Sequence, residues 1–225
     1  SIVGVIDAIA QIFENKPLGP VDLYDGAMKT LHLNGREGIT LIAQSGIDIA
    51  IWDALGKAAK KPVYNLLGGK TKAKLPCYAS KLYNQPLDEL AKEAKEYLDQ
   101  GFKAMKLRFG WGPKDGASGM NKNIELIKTV RSVVGDDIDL MADVYMGWTF
   151  EYAKRMMRLI DNENLRWLEE PVIADDIDGY AELRASCRTP ISGGEHEYTL
   201  YGFRQLLEKR AIDVVQFDTN RVGGI

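Results

Sequence analysis

Cysteine and histidine are scarce, with two of each in 225 residues. Cys77 and Cys187 lie far apart in different expected units, so a disulfide framework is not expected and reduced, cytoplasmic thiols are. Charge of one sign is lacking as well: 29 Lys and Arg stand against 32 Asp and Glu, for a net charge of −3 and a pI near 5.6. That balance argues against a nucleic-acid footprint and an anionic-membrane anchor. No apolar stretch approaches the roughly 20 residues of a membrane span, and Ser1 to Ala10 show neither a basic leader nor a cleavage pattern. A glycine-rich phosphate turn is missing too. The first expected strand runs into Tyr78-Ala79-Ser80-Lys81, which argues against an open, doubly wound nucleotide-binding sheet.

What is present suffices for a core, since 45% of the residues are hydrophobic and 27% charged. The first seventy residues read as helices. Ile2, Val5, Ile6, Ile9 and Phe13 recur at helical spacing, Pro17 and Pro20 break the pattern, and a second helix is expected from Val21 to Leu31. An apolar run from Ile39 to Ala59 follows, and a short helix ends at Leu66-Leu67-Gly68-Gly69. From Leu75 onward strands and helices alternate. Strands are expected at 75–79, 104–109, 139–145, 165–169, 190–193 and 214–218, with helices at 87–100, 121–134, 150–161, 176–186 and 200–209. Such alternation predicts parallel βα units, and the close spacing favours a closed barrel. Six units are legible where a barrel needs about eight, and both chain ends look cut.

Asp143, Glu169 and Glu195 stand at two equal intervals of 26 residues, each at the end of an expected strand. One interval is one βα unit, so the three carboxylates should meet at one rim of the barrel, where such folds carry their active sites. Three charges a few Å apart repel by several kcal/mol even at an effective dielectric of about 20, so a divalent cation is expected between them. Oxygen ligands without a Cys or His pattern select Mg²⁺ or Mn²⁺ over Zn²⁺. Strand alternation turns Lys106 and Arg108 to the barrel interior, and it lets only one of Glu169 and Glu170 face inward. Asp218 ends the sixth strand. His196 reads equally as a ligand neighbour or a solvated loop histidine; with Tyr145 it is the expected substrate contact.

The strings Gly46-Ile47-Asp48-Ile49-Ala50-Ile51-Trp52-Asp53, Leu66-Leu67-Gly68-Gly69, Lys106-Leu107-Arg108, Trp167-Leu168-Glu169-Glu170-Pro171, Gly194-Glu195 and Val222-Gly223-Gly224 together resemble the enolase superfamily and its mandelate racemase subgroup. The stretch Trp111 to Gly116, then Gly119-Met120-Asn121-Lys122, and Gly194-Glu195-His196-Glu197 look most like the acid-sugar, rhamnonate-type dehydratases. The resemblance implies a TIM-like (β/α)7β barrel of the α/β class, here truncated over 71–225. It implies that residues 1–70 are the helical remainder of an α+β capping domain. It further implies Mg²⁺ on Asp143, Glu169 and Glu195, with Lys106 and Arg108 as catalytic cations. It also implies a His-Asp dyad in which Asp218 is the acid, with the histidine expected further along than this chain runs.

Arg108 stands where the family pattern has a second lysine. Arginine stays protonated, whereas lysine can be tuned into a base, so two-base racemisation is disfavoured and loss of water favoured. The expected partners are a small sugar-acid carboxylate and further copies of the chain in a homo-oligomer. Two other readings are a racemase or epimerase of a 2-hydroxy acid and a non-catalytic, metal-stabilised barrel.

Overall fold

The computed structural model describes residues 1–16 and 19–225, so the expected break at Pro17 lies outside the described residues. Contacts divide the chain into two units, one of Ser1–Leu75, Gly194–Arg204 and Phe217–Ile225, the other of Pro76–Gly193 and Gln205–Gln216.

The first unit is helical, with α1 at Ile2–Phe13, α2 at Pro20–Leu31, α3 at Ile39–Ala59 and a short α4 at Val63–Leu66. Pro20 opens α2 at its first position, where a missing N–H costs nothing, and Asp22 reaches back to the Gly19 amide at 3.3 Å. Ile9, Leu23, Ala27, Leu31 and Ala43 form the core, lined by Val5, Ile6, Phe13, Ile47 and Ile51. Gly26 is needed there, because a Cβ would lie 2.6 Å from the Phe13 ring.

α3 also buries polar groups: Thr40, Gln44, Ser45 and Asp48. Ser45 Oγ accepts the Gly223 amide at 2.9 Å and Asp48 Oδ2 accepts the Ile225 amide at 2.8 Å. The glycine pair fits this approach. A Cβ on Gly223 would meet the Tyr24 ring at 2.9 Å, one on Gly224 would collide with the Asp48 carboxylate, and both glycines have positive φ. At 21 residues with a mean hydropathy of 1.2, α3 is long and apolar enough to cross a membrane by length and composition. This corrects the expectation that no stretch comes near that length; the apolar residues are spread around the helix, and small residues fill the gaps between them.

The second unit carries a five-stranded parallel sheet of β1 (Ala104–Arg108), β2 (Asp139–Asp143), β3 (Leu168–Glu169), β4 (Ile191–Gly193) and β5 (Val214–Val215), hydrogen-bonded in that order. Sequential order without reversal is the pattern of consecutive βα units, not of a doubly wound sheet. α5 (Leu87–Asp99) precedes β1, α6 (Gly116–Val134) follows it, and α7 (Phe150–Ile160), α8 (Ile177–Ser186) and α9 (Thr199–Glu208) follow β2, β3 and β4. The centres of β1 and β2 are buried throughout, as parallel strands covered on both faces require. α7 turns Tyr152, Ala153, Met156, Met157 and Ile160 inward on one helical stripe.

Further expectations change: the strand expected at 139–145 ends at Asp143, and the one expected at 165–169 shortens to Leu168–Glu169. The strand expected at 75–79 shrinks to one parallel bridge between Ala79 and Met105. The strand expected at 214–218 stops at Val215, and Asp218 sits in the turn that follows. α6 begins five residues earlier than the expected Asn121, after a short 3-10 turn at Pro113–Asp115. Asn123, inside α6, holds the loop before it. Fully buried, it accepts the Gly110 and Trp111 amides at 3.3 Å each and donates to the Trp111 carbonyl at 2.9 Å, tying the loop after β1 onto the helix.

Candidate active site

Strand register places Arg108 beside Asp143, Asp143 beside Glu169, and Glu169 beside Ser192, a polar row across four strands near their C-terminal ends. Residues aligned across a parallel sheet share a face, and residues two apart on one strand share it too. Lys106 therefore joins the row from β1, and Trp167 joins it from just before β3.

The side chains meet accordingly. Lys106 Nζ hydrogen-bonds Glu169 Oε1 and lies 3.1 Å from Asp143 Oδ2. Arg108 Nη1 donates to the same Asp143 oxygen at 2.6 Å. Asp143 Oδ1 accepts the Tyr145 amide at 2.9 Å, and Glu169 Oε2 accepts Trp167 Nε1 at 3.0 Å. Lys106, Asp143 and Glu169 are buried, whereas Arg108 keeps 26% of its side chain exposed. Burial alone lowers the basicity of Lys106, but the hydrogen bond and charge of Glu169 and the charge of Asp143 leave it above its ordinary value. Burial and then the charge of Asp143 push the Glu169 carboxyl up, against the pull of Lys106 and Trp167. Two buried carboxylates side by side are therefore held by cations, the environment expected of a cation-binding or proton-transfer site.

A cavity of about 530 Å³ opens beside this row, lined by Tyr83, Asn84, Arg108, Phe109, Asp143 and Tyr145. Tyr145 and Met146 are successive left-handed residues, with φ of 52° and 58°. Such strain at a strand end persists only where the surroundings fix it; here the Asp143 carboxylate holds the Tyr145 amide, and the Met146 amide bonds the Glu170 carbonyl at 2.7 Å.

The structure thus brings together Lys106, Arg108, Asp143 and Glu169, with Tyr145 at the cavity wall. Glu195, His196 and Asp218 belong to the other unit. There, His196 Nδ1 is 3.8 Å from Glu195 Oε1. Asp218 accepts the Asn220 amide and Nδ2 at 2.8 Å each and lies 3.7 Å from Arg221 Nε. Glu170 is buried, like Glu169.

Sequence reasoning missed three neighbours. Trp167 was legible through its two-residue offset from Glu169. Tyr78, whose ring lies 5.9 Å from Lys106 Nζ and 5.8 Å edge-on from Trp167, and Tyr83, whose ring lies 5.2 Å from the Arg108 guanidinium, left no periodic signal, because the segment that carries them is mostly loop.

Parallel βα units with buried acids and cations at the strand ends define the class as a βα-barrel type with a candidate active site. Comparison with known families narrows it. An enolase C-terminal domain-like model matches residues 89–225, and the mandelate racemase / muconate lactonizing enzyme N-terminal domain matches residues 5–68. The chain belongs to this family. It is 39% identical over 220 residues to the L-rhamnonate dehydratase of Saccharopolyspora erythraea, covering 96% of this chain and 54% of that protein. It is 38% identical over 206 residues to the arabinonate dehydratase of Saccharolobus solfataricus, covering 90% and 53%. Among solved structures, a Bradyrhizobium enolase complexed with magnesium and mandelic acid superposes with a TM-score of 0.91 at 32% identity, covering 99% of this chain and 60% of that one. The chain spans about half the length of the curated relatives it matches.

Proposed function

We propose that this chain carries the metal-binding and cationic part of an Mg²⁺-dependent acid-sugar dehydratase, which removes the α-proton of a sugar acid and expels water to leave a 2-keto-3-deoxy acid. The observation that carries the reading is the buried Asp143–Glu169 pair, adjacent in register and bridged by Lys106. Its donors are all carboxylate oxygens, which suits Mg²⁺. Asp143 and Glu169, with Glu195 as third ligand, would hold the ion. Bound there, Mg²⁺ supplies positive charge to a substrate carboxylate as it gains electron density.

The chain's own residues do the rest. Lys106, kept protonated by Glu169 and Asp143, offers a fixed cation to the developing negative charge, the preorganised electrostatics on which such a step depends. Arg108 lines the cavity as a permanent cation and orients the acid. Tyr145 and His196 are the proposed substrate contacts, and Asp218 would orient the general base. An arginine in place of a second lysine leaves one face of the substrate without a base, which favours loss of water over racemisation. The names of the two dehydratase relatives support the same substrate class. We place the protein in the cytoplasm as a homo-oligomer.

The test is to incubate the intact protein with L-rhamnonate, both enantiomers of arabinonate and a panel of related acids. A 2-keto acid should form with Mg²⁺ and not after chelation. Exchange of the α-proton for deuterium without loss of water would instead establish the racemase or epimerase reading.

A further inference from the structure

Tyr83 sits on a segment built to hold it still. Leu82 before it is fully buried and left-handed, with φ of 39°, a conformation costly for a leucine and retained only where the surroundings enforce it. The Arg108 amide bonds the Leu82 carbonyl at 3.0 Å, anchoring the segment to the end of β1. On the other side Asn84 packs so closely on Gly110 that a Cβ there would overlap its side-chain amide. Between these two anchors the Tyr83 ring lies over the guanidinium of Arg108, 5.2 Å from Cζ to the ring centroid. Arg108 Nε is buried without a hydrogen-bond partner, so backbone and side-chain acceptors do not fix the guanidinium at that end. Asp143 fixes the other end at 2.6 Å.

We infer that Tyr83 is a positioning residue. Its ring clamps the Arg108 guanidinium, so that one amino group stays on Asp143 and the remaining donors face the cavity that receives the anionic substrate. This rests on the proposed reading that Arg108 meets the substrate. The clamp needs the ring and not the hydroxyl, because the attraction comes from the negative face of the π system. Tyr83 is itself half exposed and accessible to substitution without opening a core.

Two measurements test it on the intact, magnesium-loaded protein. The initial-rate KM for L-rhamnonate should be unchanged within about twofold in Tyr83→Phe and roughly 2- to 30-fold higher in Tyr83→Leu. In an Arg108→Gln background Tyr83→Leu should then add nothing. An equal rise in both backgrounds overturns the inference. NMR of the unmutated protein supplies the second measurement and needs neither a substrate nor a tolerant variant. The Arg108 Hε resonance, assigned by its absence in Arg108→Lys, should be displaced upfield by the ring current. A resonance at the ordinary arginine position overturns the clamp. If L-rhamnonate is not turned over at all while the displaced resonance is present, the substrate assignment fails and the clamp stands.

Discussion

Trp167 Nε1 donates to Glu169 Oε2 at 3.0 Å from two residues earlier on the same strand face. Lys106 takes the other carboxylate oxygen, so both oxygens of a side chain with no solvent exposure are satisfied. The indole edge thereby fixes the rotamer of a residue that the proposed mechanism needs at one position. Trp167→Phe keeps an aromatic side chain and removes the donor. It should cost about 1.5–3 kcal/mol, the value of a hydrogen bond to a charged group, read by urea denaturation, and should weaken Mg²⁺ binding in calorimetry.

Lys106 is the counter-ion of two buried carboxylates. Lys106→Met fills the same space without charge and leaves Glu169 without a cation and Asp143 with Arg108 alone, a loss of about 3–5 kcal/mol for a broken buried ion pair. Added Mg²⁺ should restore much of that stability in the variant, because a cation bound by Asp143 and Glu169 replaces the missing charge. Denaturation with and without Mg²⁺ checks both arms, and indifference of the variant to Mg²⁺ would remove these acids from the metal site.

Asp48 gives a pH dependence whose sign can be worked out. Burial raises its carboxyl above the ordinary 3.8, partly countered by the Ile225 amide. A folded-state value above the unfolded one means that the folded state binds the proton more tightly, so this contribution to stability is full below 3.8 and is lost as pH rises through the folded value. Asp48→Asn keeps an acceptor for Ile225 and removes that loss. The variant should exceed the unmutated protein in stability at neutral pH, and the advantage should vanish in acid; thermal melts at several pH values will show whether the two curves converge there.

The two thiols should differ in reactivity. Cys77 is exposed, whereas burial first, and then the charges of Asp161 and Asp213, push the Cys187 thiol up to about 12. Roughly one Cys187 in ten thousand is then ionised at pH 8. Iodoacetamide should label Cys77 alone in the native protein and both residues after denaturation, as read by mass spectrometry; fast native labelling of Cys187 would contradict the packing around α8.

Much of this was legible beforehand, because periodicity is a local property. The apolar stripe of α7 and the buried centres of β1 and β2 follow from spacing alone, and the interval from Asp143 to Glu169 matches one strand-helix-strand repeat. Legibility failed where a partner decides the outcome. The residues around Leu75–Ala79 have strand-like composition, but only Ala79 finds a bridge. Gln216 to Asp218 continue a polar-apolar alternation, yet the chain turns, with Asp218 capping Asn220. The loop after β1 is tied to α6 by Asn123 reaching back to Trp111, a contact that residue composition does not announce.

The sequence by itself determined that helices and strands alternate after the first seventy residues, that the strands run parallel, and that acids fall at or just past their ends, since these follow from spacing and from the reach of one βα unit. Only the tertiary structure decided that Trp167 serves Glu169, that Tyr83 covers Arg108, and that the Gly223-Gly224 pair closes onto Ser45 and Asp48. Those outcomes depend on strand register, on left-handed turns and on distances of a few ångströms between remote segments, and no one-dimensional pattern encodes such distances.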